Sequence, residues 1–142
     1  MNVAVVVGLV GGIAIGFQAS FVSLMSQIIG SMESTFVVHF GGAVLAGVIL
    51  VAMRGGNLSA WQNVPWYALG AGALGLVGVG AISYSIPRLG PSGLFILLLV
   101  GQLLVGLVID HFGLFGNAAR PIDLSRVAGI AVLFLGTWLV LR

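Results

Sequence analysis

The sequence predicts an all-α membrane protein, and both its composition and the spacing of its charges lead to that class. Of its 142 residues, 60% are hydrophobic and 6% are charged, whereas ordinary soluble domains carry roughly 25% charged residues. A soluble domain of this size leaves a large part of its surface in water, and so few polar residues could not cover that surface. We therefore expect the lipid bilayer to be its main solvent.

The charged residues separate five uncharged stretches. Four of them reach the about 20 residues that a helix needs to cross a hydrocarbon core about 30 Å thick. The fifth stretch is shorter, and the helix near 124–141 can cross the core only if Arg126 extends its side chain to the headgroups. The stretches are apolar at consecutive positions, which favours helices over the alternating pattern of a membrane barrel. We predict one domain over residues 1–142 with five transmembrane helices, near 3–29, 33–53, 65–87, 91–111 and 124–141.

Local signals support these helices. Ser31 can cap the second helix, and Glu33 in its first turn lies at the positive end of the helix dipole. The run 87–91, Pro-Arg-Leu-Gly-Pro, predicts a tight turn, and Asp123 marks the start of the fifth helix. The aromatic residues expected at the membrane interfaces are Trp61, Trp66, Tyr67, Tyr84 and Trp138.

The basic residues give almost no preference for one orientation in the membrane. Five spans would place Arg54, Arg120 and Arg126 on one side and Arg88 and Arg142 on the other. An excess of Lys and Arg on one side normally sets the orientation. The near balance leaves two alternatives open: the chain inserts in both orientations, or a few residues select one.

Small residues recur at helical spacing on two of the predicted helices. Such residues let helix backbones approach closely in lipid, so we expect them to face neighbouring helices. Packing alone would explain the pattern, and a transporter would use the same contacts. The positions are Gly8, Gly12, Gly16 and Ser20 on the first helix and Gly75 and Gly78 on the third.

Polar residues at membrane depth are costly and raise a functional hypothesis by default. Gln18 and Gln102 lie near the middle of their helices, where they either join helices by hydrogen bonds or line a midplane ligand site of the kind that transporters have. His39 is either a structural histidine or a proton-sensitive ligand contact, because its ordinary pKa lies near neutrality. Glu33 and Asp110 are interpreted as boundary charges or helix caps.

Several kinds of chemistry lack support in the sequence. The chain has no cysteine, which excludes disulfides and thiolate metal sites, and its two histidines lack metal-ligand spacing. Nothing connects Ser83 or Ser85 with His39, so we predict no hydrolytic site and no enzyme activity. We also expect no cofactor, no metal and no nucleic-acid partner, since a net charge of +2 forms no basic patch.

Several short segments resemble the bacterial YdcZ-like family of the drug/metabolite transporter superfamily. They are Gln18-Ala19, the run 87–91, Gly101-Gln102 and the run 109–113, Ile-Asp-His-Phe-Gly. The resemblance covers nearly the whole chain. It implies a five-helix unit that reaches ten helices by dimerisation or gene fusion, a location in the inner membrane and transport of a small molecule.

The resemblance also assigns roles by position. The helix 1 glutamine of the family falls on Gln18, its helix 4 glutamine on Gln102 and its boundary aspartate on Asp110. Val22 stands where many members carry asparagine, so a ligand role for that position does not transfer. His39 matches only part of the family.

The function expected from these observations is a multi-pass inner-membrane transporter of a small metabolite or amphiphile. It would work by alternating access as an antiparallel, dual-topology dimer, in contact with the bilayer and with a second copy or an oppositely oriented homologue. Gln18 and Gln102 are the main candidates for substrate contact, followed by His39 and Tyr84. Two alternatives stay open: a non-transporting subunit of an obligate heterodimer, and a flippase for lipids or amphiphiles.

Overall fold

The computed structural model describes residues 2–54 and 56–142, and the regular elements in those ranges are helices. Short 3-10 segments occupy Leu58–Asn63 and Leu114–Gly116, before and after the long central helix. The α-helices are α1 (Val3–Ile29), α2 (Ser31–Met53), the single turn α3 (Trp66–Leu69), α4 (Ala71–Phe112) and α5 (Leu124–Leu141).

The helices leave most of their apolar surface uncovered. Four helical segments are long and apolar enough to cross a membrane: α1, α2, Trp66–Phe112 and α5. No more than 11% of the most apolar part of each segment is buried. Large apolar side chains exposed along whole helices would be unstable in water but are normal in lipid. This surface confirms the prediction of an all-helical, membrane-spanning chain.

Helix α4 is interrupted at Gly90. The sequence predicts two helices in this region, 65–87 and 91–111, whereas the structure has the short α3 followed by α4 running to Phe112. Gly90 leaves the helical conformation, with φ 72° and ψ 164°, and glycine adopts a positive φ without steric cost. Pro91 follows directly and is suited to the first position of a new helical segment.

The first compact unit of the chain ends at Pro87 and contains α1, α2 and the first part of α4. Helices α1 and α2 are joined by Gly30, whose φ of 101° requires a residue without a side chain. The expectation that Ser31 caps α2 is wrong: Gly30 is the N-cap residue and Ser31 is the first residue of the helix. The turn is closed because the Ser34 N–H donates to the Gly30 carbonyl at 3.1 Å.

The second unit runs from Arg88 to Arg142 and contains the rest of α4, a loop and α5. Its buried residues include Leu94 and Thr137. The start of α5 is confirmed at Asp123, whose carboxylate accepts the Arg126 N–H at 2.8 Å. This contact satisfies one of the backbone donors that the first turn of a helix leaves without an intrahelical partner.

Candidate functional site

Five hydroxyl-bearing residues form a polar seam inside the first unit, which we call the hydroxyl seam. The Ser26 hydroxyl of α1 donates to the carbonyl of Ser83 in α4 at 3.5 Å. The Ser34 hydroxyl of α2 lies 3.5 Å from the Ser83 hydroxyl. Hydrogen bonds of this kind connect three helices where apolar contacts alone would leave their relative rotation open. The seam comprises Ser23, Ser26, Ser34, Thr35 and Ser83.

Four of the five seam residues are buried, and Ser26 is half-buried. Ser34 is 0% and Ser83 5% exposed. The Ser34 hydroxyl donates to the Ser31 carbonyl at 2.9 Å, and the Ser83 hydroxyl donates to the Val79 carbonyl at 3.0 Å. A hydroxyl bonded to the preceding turn of its own helix can enter a buried environment without leaving an unsatisfied group. The contacts of 3.5 Å between helices are therefore weak additions to a local network.

His39 extends this polar region along α2. Its Nδ1 lies 2.9 Å from the carbonyl oxygen of Thr35. Because a carbonyl oxygen only accepts, Nδ1 carries the hydrogen of this contact. A Cβ atom placed on Gly75 of α4 would lie 3.0 Å from Nε2. The absence of a side chain at Gly75 is what lets the half-buried imidazole approach α4 so closely.

The two glutamines proposed for substrate contact lie in different units. Gln18 is exposed near the middle of α1 in the first unit, and Gln102 is exposed in the second unit, near the middle of the part of α4 after Gly90. Tyr84, the weaker candidate, is 63% exposed and follows Ser83 on α4. No finding assigns a ligand to these residues, and their substrate-binding role stays a prediction.

Gly8 and Gly12 of α1 meet no neighbouring helix within the described residues. A Cβ atom added to Gly8 or Gly12 would find no atom within 4 Å, and the same holds for Gly78 on α4. Ser20 donates to the Gly16 carbonyl at 3.1 Å, within its own helix. Packing by the small residues Gly8, Gly12, Gly16 and Ser20 therefore stays a prediction, and it concerns packing against a helix of another protein chain.

Charged residues of the second unit form a cluster at the end of α4. Arg126 in the first turn of α5 pairs with Asp110 at 3.3 Å, and its Nη1 also donates to the Arg120 carbonyl at 3.4 Å. The Arg120 N–H in turn donates to the Asp110 carbonyl at 2.7 Å. His111 Nδ1 accepts the Ile122 N–H at 3.3 Å. These contacts hold the loop between α4 and α5 against both helix ends.

An apolar groove of about 460 Å³ opens beside this ion pair. Leu103 and Leu107 of α4 and Ile130 of α5 provide its walls, and Gly106 and Gly129 contribute no side chains to it. Asp110 and Arg126 lie at one end. The groove thus combines an apolar interior with a partly exposed pair of opposite charges.

Two other charged positions have local explanations. Glu33 is exposed in the first turn of α2, where a carboxylate stabilises the positive end of the helix dipole. The Arg126 N–H bonded to the Asp123 carboxylate, assisted by the Ser125 hydroxyl, lowers the pKa of Asp123 below its usual value. Among the described residues, no cluster of three or more histidine and acidic side chains could hold a metal ion.

The long apolar helices with their uncovered surfaces define a multi-pass membrane protein, and the polar groups at membrane depth are of the kind found in transport proteins. The family described as "Putative inner membrane exporter, YdcZ" matches residues 3–139. The chain therefore belongs to this family and is a multi-pass protein of the inner membrane, which confirms the resemblance seen in the sequence. Family membership supports membrane transport as its activity. No curated protein and no solved structure matches the chain.

Proposed function

We propose that this protein exports a small metabolite or amphiphile across the inner membrane by alternating access, as an antiparallel dimer with five spans per chain. The break at Gly90 supports the count of five, because it divides α4 into two segments that can each cross the bilayer. An antiparallel pair of five-helix units would form the ten-helix arrangement with inverted repeats that places a substrate site near the midplane.

The observation that carries this proposal is the exposure of Gln18 and Gln102 near the middle of apolar helices. A carboxamide that faces lipid leaves its donors and acceptors unsatisfied, which is costly in hydrocarbon. A second copy that covers these faces would supply partners or enclose a cavity lined by both side chains. A small polar substrate could then bind there by hydrogen bonds, without a buried charge on the protein.

The orientation of the chain can be tested because it contains no native cysteine. One variant carries a single cysteine in place of Asn57, in the loop before α3, and a second carries one in place of Leu89, next to Gly90. Both residues are exposed. Intact cells are treated with a membrane-impermeant maleimide, and the remaining thiols are labelled after lysis.

Dual topology gives about half protection at both positions. A single orientation gives nearly complete labelling at one position and nearly none at the other, and it would refute the antiparallel homodimer. The search would then turn to a homologous partner of opposite orientation. Two positions on opposite sides make the fractions complementary, so incomplete chemical labelling cannot imitate dual insertion.

Transport through the proposed site can be tested by profiling solutes in the medium of cells that express the protein. We expect cells with wild-type protein to accumulate extracellular solutes that cells with Gln102→Ala do not. Gln62→Ala is the matched control, because Gln62 is an exposed glutamine of the 3-10 segment outside the spans. If Gln102→Ala exports the same solutes at the same rate as wild type, Gln102 does not contact the substrate.

A further inference from the structure

The groove of the second unit begins at the level where the membrane interior ends. Asp110 lies two positions before Phe112, the end of α4, and Arg126 lies in the first turn of α5. From Asp110 the groove runs along α4 to Leu103. Seven residues at about 1.5 Å each make roughly 10 Å, about one third of a hydrocarbon core of about 30 Å. The groove therefore reaches from headgroup level into the upper hydrocarbon layer.

The shape and polarity of the groove match one lipid chain attached to a polar headgroup. Its walls are aliphatic, and Gly106 and Gly129 leave open space: a Cβ atom at either position would meet no atom within 4 Å. Polar atoms are concentrated at the end formed by Asp110 and Arg126. A ligand that fills the whole groove has to be apolar along its length and charged at one end.

The ion pair selects the kind of headgroup. Arg126 and Asp110 are joined at 3.3 Å, and their side chains stay 29% and 41% exposed, so both remain accessible from the groove mouth. The guanidinium attracts a phosphate, with which it can form more than one hydrogen bond. The carboxylate attracts an ammonium group that donates hydrogen bonds. A headgroup with both groups would complete an alternating arrangement of four charges, whereas a purely anionic headgroup would be repelled by Asp110.

We infer that this groove binds one acyl chain of a membrane phospholipid with an ethanolamine headgroup. The phosphate of the lipid approaches Arg126 and its ammonium approaches Asp110, while the chain covers the glycine-containing floor. The site lies within a single unit of the chain and does not depend on the dimer or on the proposed transport activity.

The first test measures headgroup preference on the unmodified, full-length protein. Delipidated protein in detergent is titrated with phosphatidylethanolamine, phosphatidylglycerol and phosphatidylcholine of identical acyl chains, and bound lipid is counted by native mass spectrometry. We expect phosphatidylethanolamine to bind about threefold more tightly than phosphatidylglycerol, the effect of one partly exposed charge contact. Phosphatidylcholine should also bind less tightly than phosphatidylethanolamine, because its ammonium donates no hydrogen bonds.

Two variants locate the site. Gly129→Leu places a side chain in the groove and should weaken phosphatidylethanolamine binding at least tenfold. Ala128→Leu is the matched control, since it puts the same leucine side chain on the neighbouring position of α5, which does not line the groove. Asp110→Asn should retain lipid binding but lose the preference for ethanolamine over glycerol. Circular dichroism of each variant shows whether the helices have formed.

Three results would overturn the inference. The first is equal binding of the three lipids, or a preference for phosphatidylglycerol, by the wild-type protein. The second is lipid binding by Gly129→Leu that equals that of Ala128→Leu. The third is a loss of dimer mass in Gly129→Leu with phosphatidylethanolamine binding unchanged, which would show that the groove accommodates a helix of a second copy.

Discussion

The contact between His39 and Gly75 gives a direct test of how the first unit packs. In Gly75→Ala, the added methyl carbon would lie 3.0 Å from Nε2 of His39 and 3.9 Å from its Cδ2. Favourable contacts between nonbonded heavy atoms begin near 3.5 Å, so the ring has to retreat by roughly 0.5 Å. The ring cannot turn freely, because Nδ1 is held by the Thr35 carbonyl at 2.9 Å.

The size of the effect follows from two opposing terms. Overpacking a filled contact costs about 1–3 kcal/mol, and an overlap of this size on a movable ring belongs at the lower end, about 1 kcal/mol. Replacing glycine by alanine within a helix contributes about 1 kcal/mol in the other direction, which would hide the clash in a comparison with wild type. Gly72→Ala in the same helix makes the same change from glycine to alanine, but a Cβ atom at Gly72 meets no atom within 4 Å. The difference in stability between the two alanine variants therefore leaves only the clash.

We therefore expect Gly75→Ala to unfold with a free energy about 1 kcal/mol lower than Gly72→Ala. The assay is SDS titration of purified protein in mixed micelles, followed by circular dichroism. His39→Ala removes the obstructing ring, so the cycle of His39→Ala and Gly75→Ala should show a coupling energy of about 1 kcal/mol. Equal stability of the two alanine variants, or a coupling energy near zero, would show that His39 does not pack against Gly75.

Two further predictions concern the start of α5 and the hydroxyl seam. The lowered pKa of Asp123 means that the cap stabilises α5 above the usual carboxyl pKa of about 4 and is lost as the pH falls through the lowered value. The protection of the amides in the first turn of α5, measured as the exchange rate relative to the intrinsic rate at each pH, should therefore fall on acidification in wild type. Asp123→Asn, which caps without titrating, should show no such fall, and an identical fall in that variant would assign it to another group. In the seam, Ser83→Ala should lower the free energy of unfolding by no more than about 1 kcal/mol, and Ser83→Leu should lower it by about 1–3 kcal/mol through overpacking. SDS titration compares the two variants, and an alanine effect as large as the leucine effect would show that the hydroxyl itself holds the helices.

The membrane class could be predicted from sequence because composition and length determine it almost alone. An apolar stretch of about 20 residues in lipid has to satisfy its backbone internally, which makes it a helix. The start of α5 could also be predicted, since Asp123 precedes an apolar run and has a carboxylate that can accept a backbone N–H of the first turn. The boundary between α1 and α2 was harder to predict. The observed N-cap residue is Gly30, which has no side chain, whereas Ser31 has a hydroxyl that could have served as a cap.

The hydroxyl seam could not be predicted, because it depends on how the helices rotate about their axes. Ser34 and Ser83 are far apart in the sequence, yet their hydroxyls lie 3.5 Å from each other. Apolar residues occupy most positions around the helix at Ser83, so the sequence pattern there contains little information about which face turns inward. A possible signal was the repetition of serine near the facing ends of α1, α2 and the first part of α4, where short polar side chains join helices in lipid.

The hydroxyl seam and the two glutamines differ in whether one chain supplies their hydrogen-bond partners, and this difference supports the proposed dimer. Ser34 and Ser83 are buried and have their hydroxyls satisfied within the first unit, so the fold accounts for them without any partner. Gln18 and Gln102 have comparable polarity but are exposed near the middle of apolar helices, where the fold of one chain gives them no such environment. A bilayer offers few hydrogen-bonding groups at that depth. A second protein surface or a bound polar substrate therefore accounts for the two glutamines better than packing within one chain does.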